Sequence, residues 1–497
     1  MKLILSFLLF FSVCQAQEHR IAALNGQADI LAQTQLQSNG IVDIVAAGDR
    51  IWLATGTGLS VTTDGGENFQ TFTQADGLGR GEITALTVRQ FDEISLIIVA
   101  TAFDTVVAEG NLPVGGGIAY SLDFGESWVH SEQPGLTPIQ NVTFDISIHD
   151  DKSVWITSWG GGTRRGTGWE YGLPLIFEKN PADEFIHDPL CNLNHRAFSS
   201  ESANGVLWIG TAGAINKSLD DGETWMNITH QNQENPISGN FVVAIDVQNV
   251  GDDEYIWAAT RLVTDTTEAS CSRLLFPGSA GQFNGLSVSN DGGFSWHTAL
   301  DDKRIHNFAF DGATVYAAAD EGLFKSIDFG QTWAEFPPIV DATKDVQFLS
   351  ERIFSIAISA DRTLWVGSPD GLAVSKNEGI SWDIIRGSVK TGQGGEPRTY
   401  AYPSPFSHTR HNQLGGSGYL RFQYNTKDNT QVTLRIYDFA MDLVKEVVSG
   451  KSRAAGEFYE VWNGYNEHGE LAANGVYFYS VELDGDGVYW GKFIVME

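Results

Sequence analysis

Trp159, Arg164, Arg165 and Trp169 fall close together and carry side chains suited to holding an anion or a sugar. Guanidinium groups clamp carboxylates, and indole faces stack on rings and cations. The glycines at 160–168 read as a loop, so these four residues form the candidate ligand-binding group. His187, Cys191 and His195, with Asp188 beside the first, have the residue types of zinc ligands. Their loop setting and spacing do not build a zinc site, so neither a metal nor another cofactor is expected. Asp104, Glu109, Asp183, Glu184, Asp188 and Asp265 could supply acid–base chemistry. Glycoside hydrolysis needs two carboxyl groups at a set separation, and the sequence singles out no pair. No catalytic residue is assigned.

These residues need a scaffold, and a repeated octet indicates which one. Residues 326–333 read Ser-x-Asp-x-Gly-x-Thr-Trp, and related octets stand at 62–69, 121–128, 218–225, 289–296 and 375–382. A hydroxyl and a carboxylate can accept hydrogen bonds from nearby backbone N–H groups, and Gly takes a backbone angle that other residues resist. Each octet therefore reads as a tight turn between strands. Asp64, Asp123, Asp220, Asp291, Asp328 and Asn377 are structural in this reading. The closing aromatic, Trp333 for example, is expected in the core.

Upstream of the octets lie apolar, β-rich runs centred on Trp52, Ile98, Trp155, Trp208, Trp257, Tyr316 and Trp365. They recur at a period of roughly 50 residues, which with strands throughout predicts a propeller of four-stranded blades. The spacing between run and octet is longest in two repeats, adding sequence at 102–116 and 261–285. Together with 160–168 and 183–196, this extra sequence is expected in loops on one face. Beyond residue 399 the pattern changes to short alternating strands, a second β domain. The predicted fold is all-β: a seven-bladed β-propeller followed by a C-terminal Ig-like β-sandwich.

The chain has 497 residues and a net charge of −31, from 62 acidic and 31 basic side chains. That excess repels phosphate backbones and makes nucleic acid a poor partner. Residues 1–16 have a basic start, an apolar stretch too short to span a bilayer and a small-residue end, the pattern of a signal peptide. No later stretch is apolar for long enough to predict a membrane span. With the signal removed, Cys191 and Cys271 remain in an oxidising compartment, where they form a candidate disulfide. The predicted organisation is a signal peptide at 1–16, an N-terminal segment at 17–39, the propeller at 40–386, a linker at 387–399 and the sandwich at 400–497.

The octets resemble the Asp-box, or BNR, repeat of sialidases, sortilin-type receptors, xyloglucan-cleaving hydrolases and photosystem II assembly factors. This resemblance implies a fold and not an activity. The element at His19-Arg20-Ile21-Ala22 is similar to one of the sialidase family, but it lacks the family's Pro, and no arginine triad can be assigned. The tail resembles the Ig-like domain of flagellar hook-capping proteins, a module that overlaps with type IX secretion sorting domains. The residues carrying this likeness are 402–406 (YPSPF), 432–438 (VTLRIYD), Ala455-Gly456, Trp462-Asn463-Gly464, Gly469 and 474–479 (NGVYFY). Ser404 and Asn463 depart from the family's preferred Asn and Asp. The combined expectation is a non-catalytic propeller, extracellular or on the outer surface of a bacterium. It would bind a glycan or a protein through its loop face, with the tail engaging secretion machinery or attaching the protein. The alternative is a sialidase-like or xyloglucanase-like glycoside hydrolase on the same scaffold.

Overall fold

A computed structural model describes residues 35–91, 94–107, 110–135, 137–179, 189, 192–262, 280–392 and 396–497. The signal peptide, residues 19–22, Glu109, Asp183, Glu184, His187, Asp188, Cys191, Asp265 and Cys271 lie outside the described residues, and so does the candidate disulfide.

Seven four-stranded antiparallel sheets follow one another in chain order between Ile41 and Ile385. Blade 1 comprises Ile41–Ala47, Arg50–Thr55, Gly58–Thr62 and Gln70–Phe72. Blade 7 comprises Ser355–Ile358, Leu364–Ser368, Gly371–Ser375 and Asp383–Ile385. The innermost strand of each blade lies beside that of the next, and blade 7 meets blade 1, so the fold is a seven-bladed β-propeller. The second strands are covered by neighbouring blades on both faces, which is why they read as unbroken apolar runs. Trp52, Trp155, Trp208 and Trp257 at their centres are fully buried.

Each blade is built from contiguous chain, so no strand is shared between the two ends of the ring. Closure rests on packing of Ile41, Ile44 and Leu53 against Ala357 and Trp365, and on one side chain. Buried Asn39 donates to the Gly387 carbonyl at 3.1 Å and accepts from the Gly387 N–H at 2.8 Å.

The octets form the turns between third and fourth strands. In blade 6, Ser326 Oγ donates to Asp328 Oδ1 at 2.8 Å and accepts from the Gly330 N–H at 2.8 Å. Asp328 in turn accepts from the N–H and hydroxyl of Thr332 at 2.9 and 2.6 Å. Gly330 has φ +81°, and a Cβ there would stand 2.7 Å from Trp257 of blade 5. Gly222 meets Trp155, and Gly293 meets Trp208, in the same way. The octet therefore joins blades as well as turning the chain. Trp296 and Trp382 are buried as expected, whereas Trp333 is only half-buried, edge-on to Trp257 at 6.4 Å.

Two of the expected loops are strands. Residues 102–107 and 110–116 prolong the second and third strands of blade 2, Ile94–Val107 and Gly110–Ser121, which pair out to Val107 and Gly110. Residues 162–167 of the stretch 160–168 are the third strand of blade 3, Gly162–Thr167, flanked by Val154–Ser158 and Ile176–Lys179. Pairing on both sides makes a strand of a sequence too polar to suggest one.

In the tail, Thr399–Tyr402, Leu420–Thr426 and Gly456–Trp462 form one sheet. Leu443–Arg453, Thr430–Tyr437, Gly475–Leu483 and Gly487–Val495 form the other. Phe406, Phe422, Tyr424, Trp462, Tyr479 and Phe493 fill the space between them. The tail is seated on blade 7 through a buried ion triad. Asp370 accepts from Arg421 at 2.5 Å and from Arg386 at 2.7 Å. Burial opposes ionisation of Asp370, but the two guanidinium groups hold its carboxyl below the usual range. Tyr459 donates no charge but bonds Arg386 at 2.8 Å and lies under Arg421 at 5.2 Å.

Candidate functional site

The inner strands surround a cavity of about 1850 Å³ that runs along the propeller axis. Most inner strands carry a β-bulge near their start, after Ile41, Ile83, Thr143, Ala197, Val242 and Ile305. A bulge re-aims side chains, and here Phe144, Phe198 and His306 follow the shift and line the cavity. Phe144 and Phe198 lie 5.2 Å apart, and Phe198 and Phe241 4.8 Å apart, giving an aromatic row across blades 3 to 5. The mouth takes residues from turns between second and third strands and from segments entering inner strands: Arg80, Phe103, Asp104, Trp159, Asn284 and Arg304. Arg80 stacks on Phe103 of the prolonged blade 2 strands at 4.0 Å. Asp370 lies in the corresponding turn of blade 7, and Phe348 and Leu349 precede that blade's inner strand. The tail therefore docks on the face that holds the mouth.

Below the mouth the wall is acidic. Asp43, Asp145, Glu201 and Asp246 all line the cavity. Asp145 accepts from the Ser200 N–H at 2.9 Å, bridging blades 3 and 4, and Asn307 does the same to Ile356 at 2.9 Å between blades 6 and 7. The acids are half-exposed, and the channel they line is walled by the inner strands. Enclosure pushes Asp43 up to about 7, with help from the charge of Asp145. It pushes Asp145 to about 6 and Asp246 to about 7. Glu201 is pushed well above the carboxylate range by enclosure, then by Asp246 and Asp145. Beside them, His306 holds Asp320 at 2.8 Å, and burial drives its imidazole toward the neutral form.

The structure does not bring the four sequence-predicted ligand residues together. Trp159 is at the mouth, with the Arg196 guanidinium 5.2 Å from its ring. Arg164 and Arg165 are consecutive on a strand and so face opposite sides. Arg164 is buried, and Arg165 pairs with Asp151. Trp169 is buried between blades 2 and 3, stacked on Phe91 at 5.5 Å and donating to the Lys152 carbonyl at 2.8 Å. His195 closes a short 3-10 turn, Leu193–His195, with its ring 3.1 Å from the Asn192 amide. Among the described residues, no group of three or more His, Cys, Asp or Glu side chains is placed to hold a metal ion. The channel acids were missed at the sequence level. Their signal was nonetheless present, as a carboxylate interrupting an otherwise apolar inner strand in IVDIVAA, TFDISI and FVVAIDVQNV.

Residues 409–487 match the FlgD Ig-like domain family. No curated protein matches the chain. Among solved structures, an ancestral GH74 enzyme aligns at 13% identity with a TM-score of 0.51, covering 93% of this chain and 63% of that enzyme. PorZ, a bacterial surface component of the type-IX secretion system of Porphyromonas gingivalis, aligns at 14% identity with a TM-score of 0.40, covering 94% of this chain and 71% of PorZ. YCF48 bound to the D1 peptide aligns at 14% identity with a TM-score of 0.41, covering 68% of this chain and 93% of YCF48. The likeness to the GH74 enzyme is one of fold.

Proposed function

We propose that this is a secreted or surface-exposed, non-catalytic propeller that binds an extracellular glycan or protein at the mouth of its axial channel. One observation carries the reading: the mouth, the prolonged blade 2 strands and the docked tail all occupy the same face. Loops and extensions gathered around a concave opening are where a rigid scaffold places recognition. The Ig-like tail would serve export or attachment as a fixed part of that face. Among the described residues, no helix is long and apolar enough to cross a membrane.

A polysaccharide array and cross-linking to surface proteins, run with the intact chain and with Arg80→Ala plus Phe103→Ala, test the reading. Binding lost in the variant at unchanged melting temperature supports it; equal binding by both proteins removes the mouth from consideration. The hydrolase alternative draws on the carboxyl groups raised to about 6 and about 7 at Asp145 and Asp43, a range suited to a general acid near neutral pH. Release of reducing ends from any polysaccharide would favour it over the non-catalytic reading.

A further inference from the structure

Among the described residues, none of Asp43, Asp145, Glu201 and Asp246 forms an ion pair. Their partners are backbone N–H groups: Ile44 for Asp43 at 2.8 Å, Ile146 and Ser200 for Asp145, and Val247 for Asp246 at 2.7 Å. Arg89 eases the charge on Glu201 but is itself bound to the Ile148 carbonyl and to Asp150 at 3.0 Å. Carboxylates that repel one another are costly in an enclosed channel, and a cation held among them would offset that cost.

The geometry points to a site for an organic cation, an ammonium or guanidinium group on an apolar chain, between the Phe144–Phe198–Phe241 row and the carboxylates of Asp145, Glu201 and Asp246. Aromatic faces attract a cation, carboxylates pair with it, and the rings take its apolar chain. A bare metal ion is a poor fit, because no three ligands converge among the described residues. Arg304 at the mouth is already paired with Asp320 and Glu321 at 3.1 Å, and Arg261 donates to the Ile305 carbonyl at 2.7 Å.

This inference rests on the channel being a ligand site and narrows what it holds. The same chemistry could arrive as a free polyamine or as the side chain of a basic partner. Calorimetric titration of the intact chain with spermidine, and separately with trilysine, at near-physiological ionic strength separates the two. Saturable binding of about one equivalent is expected, weakened about tenfold or more by Glu201→Gln with Asp246→Asn and also by Phe198→Ala. Asp252→Asn with Asp253→Asn, in the exposed turn between the first two strands of blade 5, should leave it unchanged. Asp246→Asn alone gives a second reading if the double variant folds poorly. Absence of saturable binding, or equal loss in the channel and surface variants, overturns the inference as diffuse attraction to an acidic protein. Loss of spermidine and trilysine binding with glycan or protein binding retained at the mouth removes only this inference.

Discussion

Ser326 stands where three hydrogen bonds meet, donating to Asp328 and accepting from the N–H groups of Gly330 and Asp328. Its removal leaves the buried Gly330 N–H without an acceptor. Ser326→Ala should therefore cost about 1–3 kcal/mol in chemical denaturation, far more than a surface serine. The two tryptophans near this turn should behave differently. Trp257 is fully buried against Phe308, Phe310 and Trp333, so Trp257→Ala should cost about 3–5 kcal/mol. Trp333 keeps part of its ring in solvent and should cost clearly less. Equal losses for the two would show that the octet aromatic is a core residue after all.

At the scale of elements, two contacts fix parts that the chain does not tie together. Asn39 joins the two ends of the ring through paired bonds to Gly387, where no strand is shared. Asn39→Ala should lower the unfolding free energy by about 1–3 kcal/mol and raise protection-loss first in blades 1 and 7 by hydrogen exchange. Uniform loss across all blades would argue against a closure role. The Asp370 triad fixes the tail to blade 7. Asp370→Asn leaves two buried guanidinium groups short of a counter-charge, and breaking such a group typically costs about 3–5 kcal/mol. The expected result is a tail that melts or is cleaved separately from the propeller. A single unchanged transition in calorimetry would show that the interface holds without the charge.

For the whole molecule, the carboxyl groups form two sets with opposite consequences for pH. Asp43, Asp145 and Asp246 have folded values of about 6 to 7, above the ordinary carboxylate range. Groups raised in this way favour the fold fully below their unfolded values and lose that contribution as pH rises through 7. Asp341, lowered to about 2 by Thr343, the Ile384 N–H and Lys344 against its own burial, acts the other way and fails only in acid. Octet carboxylates such as Asp64, lowered by Asn68, join it. Stability should therefore peak at mildly acidic pH, with a higher melting temperature near pH 5 than near pH 8, and Asp246→Asn should flatten that fall. A melting temperature that climbs from pH 5 to 8 would contradict the channel assignment.

The repeat was legible because its causes are local. A Ser, an Asp and a Gly at fixed spacing close a turn whatever lies around them, and an unbroken run such as IWLAT needs cover on both faces. Seven runs therefore announced seven blades, and alternation beyond residue 399 announced a sandwich. Three things depended on groups distant in sequence. Residues 162–167 became a strand only because neighbours on both sides offered hydrogen bonds, which separated Arg164 from Arg165 and dissolved the expected clamp. Asp370 found Arg421 across 51 residues, so the tail took its seat by a buried charge that composition cannot locate. Asp43, Asp145, Glu201 and Asp246 stand on separate strands, and only closing the ring turned them toward one enclosed space where the charge of Asp145 raises the cost of charging the other three.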